Sequence, residues 1–339
     1  MLDVRKMDLL RELARLGTIA AVAEARFCTP SAVSQQLSAL EREAGVPLIR
    51  RSGRGVELTG AGADLADRTG PVLALLEQAA AALAASRTEL AGELRIGAFQ
   101  TAVRTLLPVA LVALGTEHPR LELRVTELDP AQAPDALRAG VVDIALMHEY
   151  DYVPAEPDPA LRAEPLLEES MFLAAAGELR TGELRTPESG TGEPAIASGE
   201  ALRPEPLMAA REQPWIMASP GTLCHLMAVR LCQEAGFTPR IRHYADDFAA
   251  VLTLVAAGQG VALVPELALP DRPDGVTLAP LPARRRTLIV CRAAASAHPA
   301  VTACAAAIQA AAASYLAGGL DHRRSSARSA AVHAVVVRR

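Results

Sequence analysis

Residues 29–45, which read TPSAVSQQLSALEREAG, decide the fold of the amino-terminal part of the chain. Thr29 and Pro30 are typical of a helix N-cap and first helical position, and Gly45 is typical of a helix end. Apolar residues recur at helical spacing and predict a buried face. The opposite face carries hydroxyl, amide and guanidinium groups, on Ser31, Ser34, Gln35, Ser38 and Arg42.

The flanking sequence predicts two helices before this segment and a hairpin after it. Residues 2–16 and 19–26 have short helical patterns, separated by Gly17 and capped by Thr18. Residues 46–49 and 56–58 predict two strands around a tip at 50–55, which contains Arg50, Arg51 and Arg54. A basic hairpin after three short helices is typical of a wing.

A long helix and two α/β units are predicted next. Residues 59–88 carry apolar side chains near alternating steps of four and three, which predicts a seam for a partner helix, and Pro71 is expected to kink or split it. Strands alternate with helices from residue 92, and a second such unit follows residue 169. The predicted domains are therefore residues 1–60, a linker at 61–90, two lobes within 91–317, and a disordered tail at 318–339. The lobes comprise about 91–168 plus 269–317, and 169–268.

Composition excludes several classes of protein. The chain has 339 residues and a net charge of −5, but residues 1–60 hold nine basic and seven acidic side chains. The acidic total therefore does not describe the first domain. Five cysteines without a CxxC pair indicate neither a disulfide framework nor a zinc cluster. No stretch is predicted to span a membrane and no signal peptide is recognised, so we expect a cytoplasmic protein.

Residues 17–48 resemble the winged helix-turn-helix of LysR-type transcriptional regulators. Leu58-Thr59-x-x-Gly62, residues 92–97 (GELRIG) and residues 255–265 (VAAGQGVALVP) are similar to later parts of the same family. The resemblance implies an N-terminal winged helix-turn-helix, a long linker helix and a two-lobed, periplasmic-binding-protein-like α/β effector domain. It also implies a transcription regulator that binds a near-palindromic site in double-stranded DNA, as a homodimer through the linker helix and further as a homotetramer. Ala20 and Ala21 depart from the family and imply weaker phosphate binding by that helix.

Two sets of site residues follow. A helix fits the major groove and glutamine can pair bidentately with adenine, so Gln35 is the first candidate for base contact. The full DNA-binding set is Thr29, Ser31, Ser34, Gln35, Ser38, Arg42, Arg50, Arg51 and Arg54. Helix starts after two strands predict a receptor for a small anionic effector between the lobes. That set is Phe99, Gln100, Thr101, Met147, Ser219, Gly221, Thr222 and Phe248.

Two alternatives remain open. One is a cytoplasmic small-molecule-binding protein without DNA binding, which Ala20 and Ala21 favour. The other is an enzyme with an appended helix-turn-helix, although the sequence has no recognisable nucleophile or base motif. Gly258-Gln259-Gly260 leads from helix to strand, the reverse of a dinucleotide loop, and Cys224, His225 and Cys232 do not complete a metal site. No cofactor, metal or catalytic residue is therefore predicted.

Overall fold

The amino-terminal domain is a three-helix unit followed by a hairpin, in a computed structural model that describes residues 1–26, 28–52, 55–86, 89–153, 157–177 and 205–336. Its elements are α1 (Val4–Leu16), α2 (Ile19–Ala25), α3 (Pro30–Ala44), β1 (Ile49–Ser52) and β2 (Gly55–Leu58). Leu10, Val22 and Leu37 form its core with Leu40 and Leu48. The three predicted helices and the hairpin are confirmed. The first strand, however, begins at Ile49 rather than at residue 46, which places Arg50 and Arg51 within a strand.

Local capping explains where these helices begin and end. The hydroxyls of Thr18, Thr29 and Thr59 each accept a hydrogen bond from the backbone N–H three residues later. Gly17 and Gly45 have φ values of 76° and 70° after α1 and α3. Glycine adopts this left-handed conformation without the strain that a Cβ atom introduces. The threonines and glycines of the sequence therefore set the helix boundaries.

The linker helix α4 (Gly60–Ala85) continues through Pro71, so the predicted split is absent. Its first turn packs on the amino-terminal domain at Gly62. A Cβ atom at this glycine would lie 2.0 Å from the backbone oxygen of Leu48, which no side chain could tolerate. This close approach fixes where α4 leaves the amino-terminal domain.

The carboxy-terminal part is an α/β domain with two lobes. Its helices are α5 (Gln100–Thr105), α6 (Leu107–Glu117), α7 (Ala133–Arg138), α8 (Glu205–Ala209), α9 (Leu223–Glu234), α10 (Phe248–Ala256) and α11 (Pro299–Val336). Its strands are β3 (Gly92–Ala98), β4 (Leu121–Glu127), β5 (Ile144–Tyr150), β6 (Leu161–Ala176), β7 (Pro214–Met217), β8 (Arg240–Tyr244), β9 (Ala262–Pro265) and β10 (Val276–Arg292). The sheet order is β4-β3-β5-β10-β6-β9, and β7 pairs with β8 in parallel.

The long antiparallel strands β6 and β10 pass through both lobes. In lobe I, the second half of β10 pairs with β5 and with the first half of β6. In lobe II, the first half of β10 pairs with the second half of β6, which also pairs with β9. The predicted lobe boundary differs here, because residues 276–280 were assigned to lobe I but pair in lobe II. The second α/β unit was predicted to begin after residue 169, which instead lies inside the continuous strand β6.

A buried ion pair marks the crossing between the lobes. Arg285 Nε donates to Glu169 Oε1 at 2.6 Å, and the two side chains are 1% and 4% exposed. The other Glu169 oxygen accepts the N–H of Leu267 at 2.7 Å. The guanidinium also donates to the Thr101 hydroxyl at 3.1 Å and lies 5.0 Å from the centre of the Phe99 ring. These contacts join both long strands to the start of α5.

The carboxy-terminal helix α11 extends much further than predicted. It runs to Val336, whereas the sequence predicted a disordered tail from residue 318. Residues Pro299–Ala317 are also long and apolar enough to cross a membrane, which the sequence-based expectation missed. One face of this part, including Cys304, Ile308 and Ala312, is buried in the core of lobe I. This packing is that of a core helix.

We expect Arg285→Ala to destabilise the α/β domain by about 3–5 kcal/mol, because it leaves the Glu169 carboxylate buried and unpaired. Arg284→Ala is the matched control: this neighbouring side chain is 52% exposed, and its loss should cost less than about 1 kcal/mol. Urea unfolding followed by circular dichroism measures both. The double variant Arg285→Met with Glu169→Leu should recover much of the loss. Equal midpoints for Arg285→Ala and Arg284→Ala would contradict this role.

Candidate DNA-binding surface and effector cleft

The outward face of α3 presents the predicted base-reading groups. Ser31, Gln35, Ser38 and Arg42 are exposed, and Ser34 is half-buried. Thr29 has a different role, because its hydroxyl accepts the Ala32 N–H and lies 3.0 Å from the Ser31 hydroxyl. Among the described residues the Gln35 amide has no hydrogen-bond partner. It is therefore free to bond to a base edge.

The wing carries less free positive charge than the sequence suggested. Arg50 pairs with Glu57 across the hairpin at 2.9 Å, and Ser52 donates to the same carboxylate at 2.5 Å. These two contacts, the Ser52 hydrogen bond first, lower the pKa of Glu57 and keep it ionised. Arg51 is exposed on the other face of β1, with no ion pair in the part of the chain that the structure describes. Arg54 lies outside the described residues.

A carboxylate that the sequence did not single out fixes the wing relative to α3. Glu41 Oε1 accepts the backbone N–H groups of Leu48 and Ile49 at 2.9 and 3.1 Å. A hydrogen bond of this kind to a charged group contributes about 1.5–3 kcal/mol. The helix face and the hairpin are therefore held as one rigid reading surface.

The amino-terminal domain also contacts lobe I of its own chain. Arg15 pairs with Asp135 of α7 at 2.6 Å, and Arg26 donates to the carbonyl oxygen of Ala139 at 3.0 Å. Farther along, Arg292 of β10 pairs with Glu77 of α4. Helix α7 and the residue after it thus connect the amino-terminal domain to lobe I.

A cavity of about 60 Å³ lies between the lobes, at the carboxyl ends of parallel strands. Thr222 and Phe248 of the predicted effector set line it. Its other lining residues are Asp129, Tyr150, Met171, Ile216, Met217, Ala218, Cys224, Met227, Ala228, Ala245, Asp246, Val251 and Leu263.

The other six predicted effector residues do not line the cavity. Gln100 bridges the lobes, because its side-chain oxygen accepts the Phe248 N–H at 3.3 Å. Thr101 is buried against Arg285, and the Phe99 ring packs 4.7 Å from that of His148. Met147 packs in a separate lobe I cluster with Leu128 and Ala136, away from the cleft. Ser219 and Gly221 belong to the turn before α9, where Gly221 has a φ of 96°.

Both predicted anion receptors already have partners within the chain. Asp246 accepts the Ser219 N–H and the Ser219 hydroxyl, each at 2.7 Å. The hydroxyl of Thr222 accepts the His225 N–H and donates to the Ser219 carbonyl oxygen. Helix α5 begins with Thr101 bound to Arg285. The hydroxyls of Ser219, Thr222 and Thr101 are therefore engaged within the chain, and the Ser219 turn already binds a carboxylate.

The sequence analysis missed the four polar side chains that line the cavity together with Thr222. They are Asp129, Tyr150, Cys224 and Asp246. Asp129 follows β4 and Asp246 follows β8, so a search for polar residues directly after each predicted strand would have found both. Burial, and then the charge of Asp246, raises the pKa of Asp129. Tyr150 Oη lies 3.1 Å from Cys224 Sγ.

The cleft thiol is not activated. Burial raises the pKa of Cys224, and it raises the pKa of Cys232 to about 12. The neighbouring His148 Nε2 lies 3.9 Å from the Cys224 sulfur. Burial, followed by the charge of Arg285, lowers the pKa of His148, so the imidazole is neutral at pH 7 and does not stabilise a thiolate. Within the described residues no three His, Cys, Asp or Glu side chains converge as a metal site requires.

We expect Cys28, which is exposed, to be the thiol that iodoacetamide alkylates fastest in the native protein at pH 7.5. Cys224 and Cys232 should react at least 10-fold more slowly, because burial keeps both as thiols. Peptide mass spectrometry over a time course gives each rate, and urea-unfolded protein gives the unprotected reference. Labelling of Cys224 as fast as that of Cys28 would contradict the environment described for the cleft.

Comparisons with known proteins agree with this architecture. Residues 4–63 match the family model "Bacterial regulatory helix-turn-helix protein, lysR family", and residues 87–313 match "LysR substrate binding domain". A probable hydrogen peroxide-inducible genes activator from Mycobacterium avium is 30% identical over 267 residues, which cover 76% of this chain and 78% of the relative. The regulator YcgK of Bacillus subtilis is 27% identical over 277 residues, covering 81% and 83% of the two chains.

Solved structures give the same result. A cysteine mutant of OxyR from Corynebacterium glutamicum is 25% identical with a TM-score of 0.52, and the match covers 94% of each chain. Because the substrate-binding model alone spans more than half of the chain, the protein belongs to the LysR family and is a DNA-binding transcription regulator with an effector-binding domain.

Proposed function

We propose that this regulator reads DNA through the outward face of α3, with Gln35 as the main base-contacting residue and Ser34 and Ser38 beside it. The observation that carries this proposal is the exposed Gln35 amide, which has no partner in the described structure, on a helix that Glu41 anchors to the wing. A glutamine amide can donate to and accept from one adenine edge, which distinguishes bases by about 1–3 kcal/mol.

The arginines have a positioning role. Arg42 and Arg51 are exposed on α3 and β1 and would contact phosphate, which contributes affinity but little sequence information. Arg50 would have to break its ion pair with Glu57 before binding phosphate, which costs free energy. We therefore expect Arg51 to bind phosphate more strongly than Arg50. Ser31 supports the first turn of the helix together with Thr29.

Dimerisation through α4 would pair two reading helices. Leu75, Leu76 and Leu83 are 66%, 52% and 71% exposed on this helix, although exposed leucines are unfavourable in water. Helix α6 likewise exposes Val109 and Val112, at 56% and 71%. The surface on α4 fits a two-fold helix pair, which would place two amino-terminal domains on DNA half-sites separated by about one helical turn or a multiple. The second surface supports further pairing of effector domains into a tetramer.

The effector would bind in the cavity between the lobes and change the position of the amino-terminal domain through α7. Asp129 lines the cavity, and its carboxylate accepts the Ala131 N–H in the turn that leads into α7. At the other end of α7, Asp135 holds Arg15 of the amino-terminal domain. A ligand that moves the turn at Asp129 would therefore also move the ion pair between Asp135 and Arg15, which positions the amino-terminal domain.

The protein would act in the cytoplasm and would catalyse no reaction. Its relatives are transcriptional regulators, and the thiol and imidazole of the cleft are both neutral and buried. These properties suit binding rather than nucleophilic or general-base chemistry.

A mobility shift with the DNA upstream of this gene and its divergent neighbour, at two salt concentrations, tests the reading role. Gln35→Ala should weaken specific binding by about 1–3 kcal/mol. Arg51→Ala should weaken specific and non-specific binding alike and reduce the salt slope by about 1. Gln233→Ala is the matched control, because this glutamine is exposed on α9, outside both the amino-terminal domain and the proposed dimerisation helix. Specific binding that Gln35→Ala and Ser34→Ala leave unchanged would refute the proposed reading residues.

A further inference from the structure

We infer that the effector carries a positively charged nitrogen on a small apolar body. This inference rests on the proposed effector role of the cavity and names the class of ligand that its walls accept. Two carboxylates, Asp129 and Asp246, face the cavity, and no lysine or arginine is among its lining residues. One comes from lobe I and the other from lobe II, so a single cation between them would hold the lobes together.

The positive end of α9 does not compensate for these charges in favour of an anion. Its preceding turn donates the Ser219 N–H and hydroxyl to the two oxygens of Asp246, as an anion receptor would to a ligand. A carboxylate could use the Ser219 groups only by displacing Asp246, and it would then lie beside that charge. Each Asp246 oxygen accepts one hydrogen bond here and retains a further lone pair for a donor from the ligand.

Asp129 offers a second acceptor. One of its oxygens accepts the Ala131 N–H at 2.8 Å. Burial and the nearby charge of Asp246 raise the pKa of Asp129, which means that the empty cavity disfavours its ionised form. A cation reverses that effect, since opposite charge favours the carboxylate. Cation binding should therefore strengthen as pH rises through the raised pKa and weaken as Asp129 becomes protonated.

Among the described residues that line the cavity, the other titratable groups are a phenol and a thiol. His225 is outside this lining, and its Nδ1 lies 2.8 Å from the carbonyl oxygen of Ala218. Burial raises the pKa values of Tyr150 and Cys224, so both are neutral at pH 7. His148 beneath them is neutral as well. Arg285 is charged but is paired with Glu169, and Arg104 at the rim lies 3.5 Å from Asp247. The two carboxylates are thus the charges that a ligand meets.

The rest of the wall is apolar. Met171, Ile216, Met217, Met227 and Leu263 line the lobe II side, and Phe248 closes it at the start of α10. Methionine side chains adapt to ligands of irregular shape. The cavity of about 60 Å³ takes up only part of such a ligand. An ammonium or amidinium group would lie between Asp129 and Asp246, and the attached hydrocarbon or aromatic body would contact this apolar wall and extend beyond the cavity.

Three isosteric probes separate charge from shape: benzamidinium, benzamide and benzoate, which carry charges of +1, 0 and −1. Isothermal titration into the full-length protein at pH 7.5 should give the tightest binding for benzamidinium. Asp129→Asn and Asp246→Asn should each weaken it at least 10-fold while changing benzamide binding little. Asp274→Asn is the matched control, because this carboxylate is exposed in the turn before β10 and away from the cavity. Benzamidinium binding should also weaken from pH 7.5 to pH 4.5.

Either of two results would overturn the inference. The first is benzoate binding more tightly than benzamidinium, and the second is the absence of saturable benzamidinium binding that depends on Asp129. A benzamide affinity that falls in parallel with that of benzamidinium in Asp246→Asn would indicate only a disturbed Ser219 turn, and would likewise count against a charge role. The mobility shift is measured separately, so a protein that binds its DNA but prefers benzoate refutes this inference and leaves the DNA-reading role intact.

Discussion

The buried pair between Arg285 and Glu169 is the constraint on which the effector domain depends. Each residue lies where one of the two long strands passes from lobe to lobe, and the pair also holds the Leu267 backbone and the Thr101 hydroxyl. Neither charge could remain buried without the other. Although burial by itself lowers the pKa of Arg285, the Glu169 carboxylate raises it above its ordinary value, so the guanidinium stays charged. The pair therefore fixes the two long strands to each other and to the start of α5.

The sequence predicted the amino-terminal domain well because its signals are local. Thr29, Pro30 and Gly45 mark the ends of α3 by capping, and the apolar stripe selects its buried face. Most of the α/β elements follow from the same kind of signal. Strands β6 and β10 were largely missed, because both pair across the whole domain and carry charged residues such as Glu169 and Arg285 at positions that only tertiary pairing buries. The sequence analysis did not predict that α11 continues beyond residue 318, because the residues there show no apolar stripe at helical spacing.

The sequence predicted the location of the candidate effector cleft but not the carboxylates, Asp129 and Asp246, that line it. Helix starts at the ends of parallel strands located the cleft, and Thr222 and Phe248 do line it. The sequence could not show that Asp246 already occupies the Ser219 turn, since residues 219 and 246 meet only through the pairing of β7 and β8. An open helix terminus favours anions, whereas one that binds an internal carboxylate presents that carboxylate to the ligand. This contact is the ground on which we propose a cationic rather than an anionic effector.

We propose that α7 links the amino-terminal domain to the effector cleft, because Asp135 of this helix pairs with Arg15. The direct test is the effect of benzamidinium on the DNA mobility shift in Arg15→Asp, Asp135→Arg and the double variant that restores the pair with reversed charges. We expect wild type to show a shift that changes with benzamidinium, each single variant to bind DNA with little or no response, and the double variant to recover the response. A response that is the same in all four proteins would contradict the link between the cleft and the reading head.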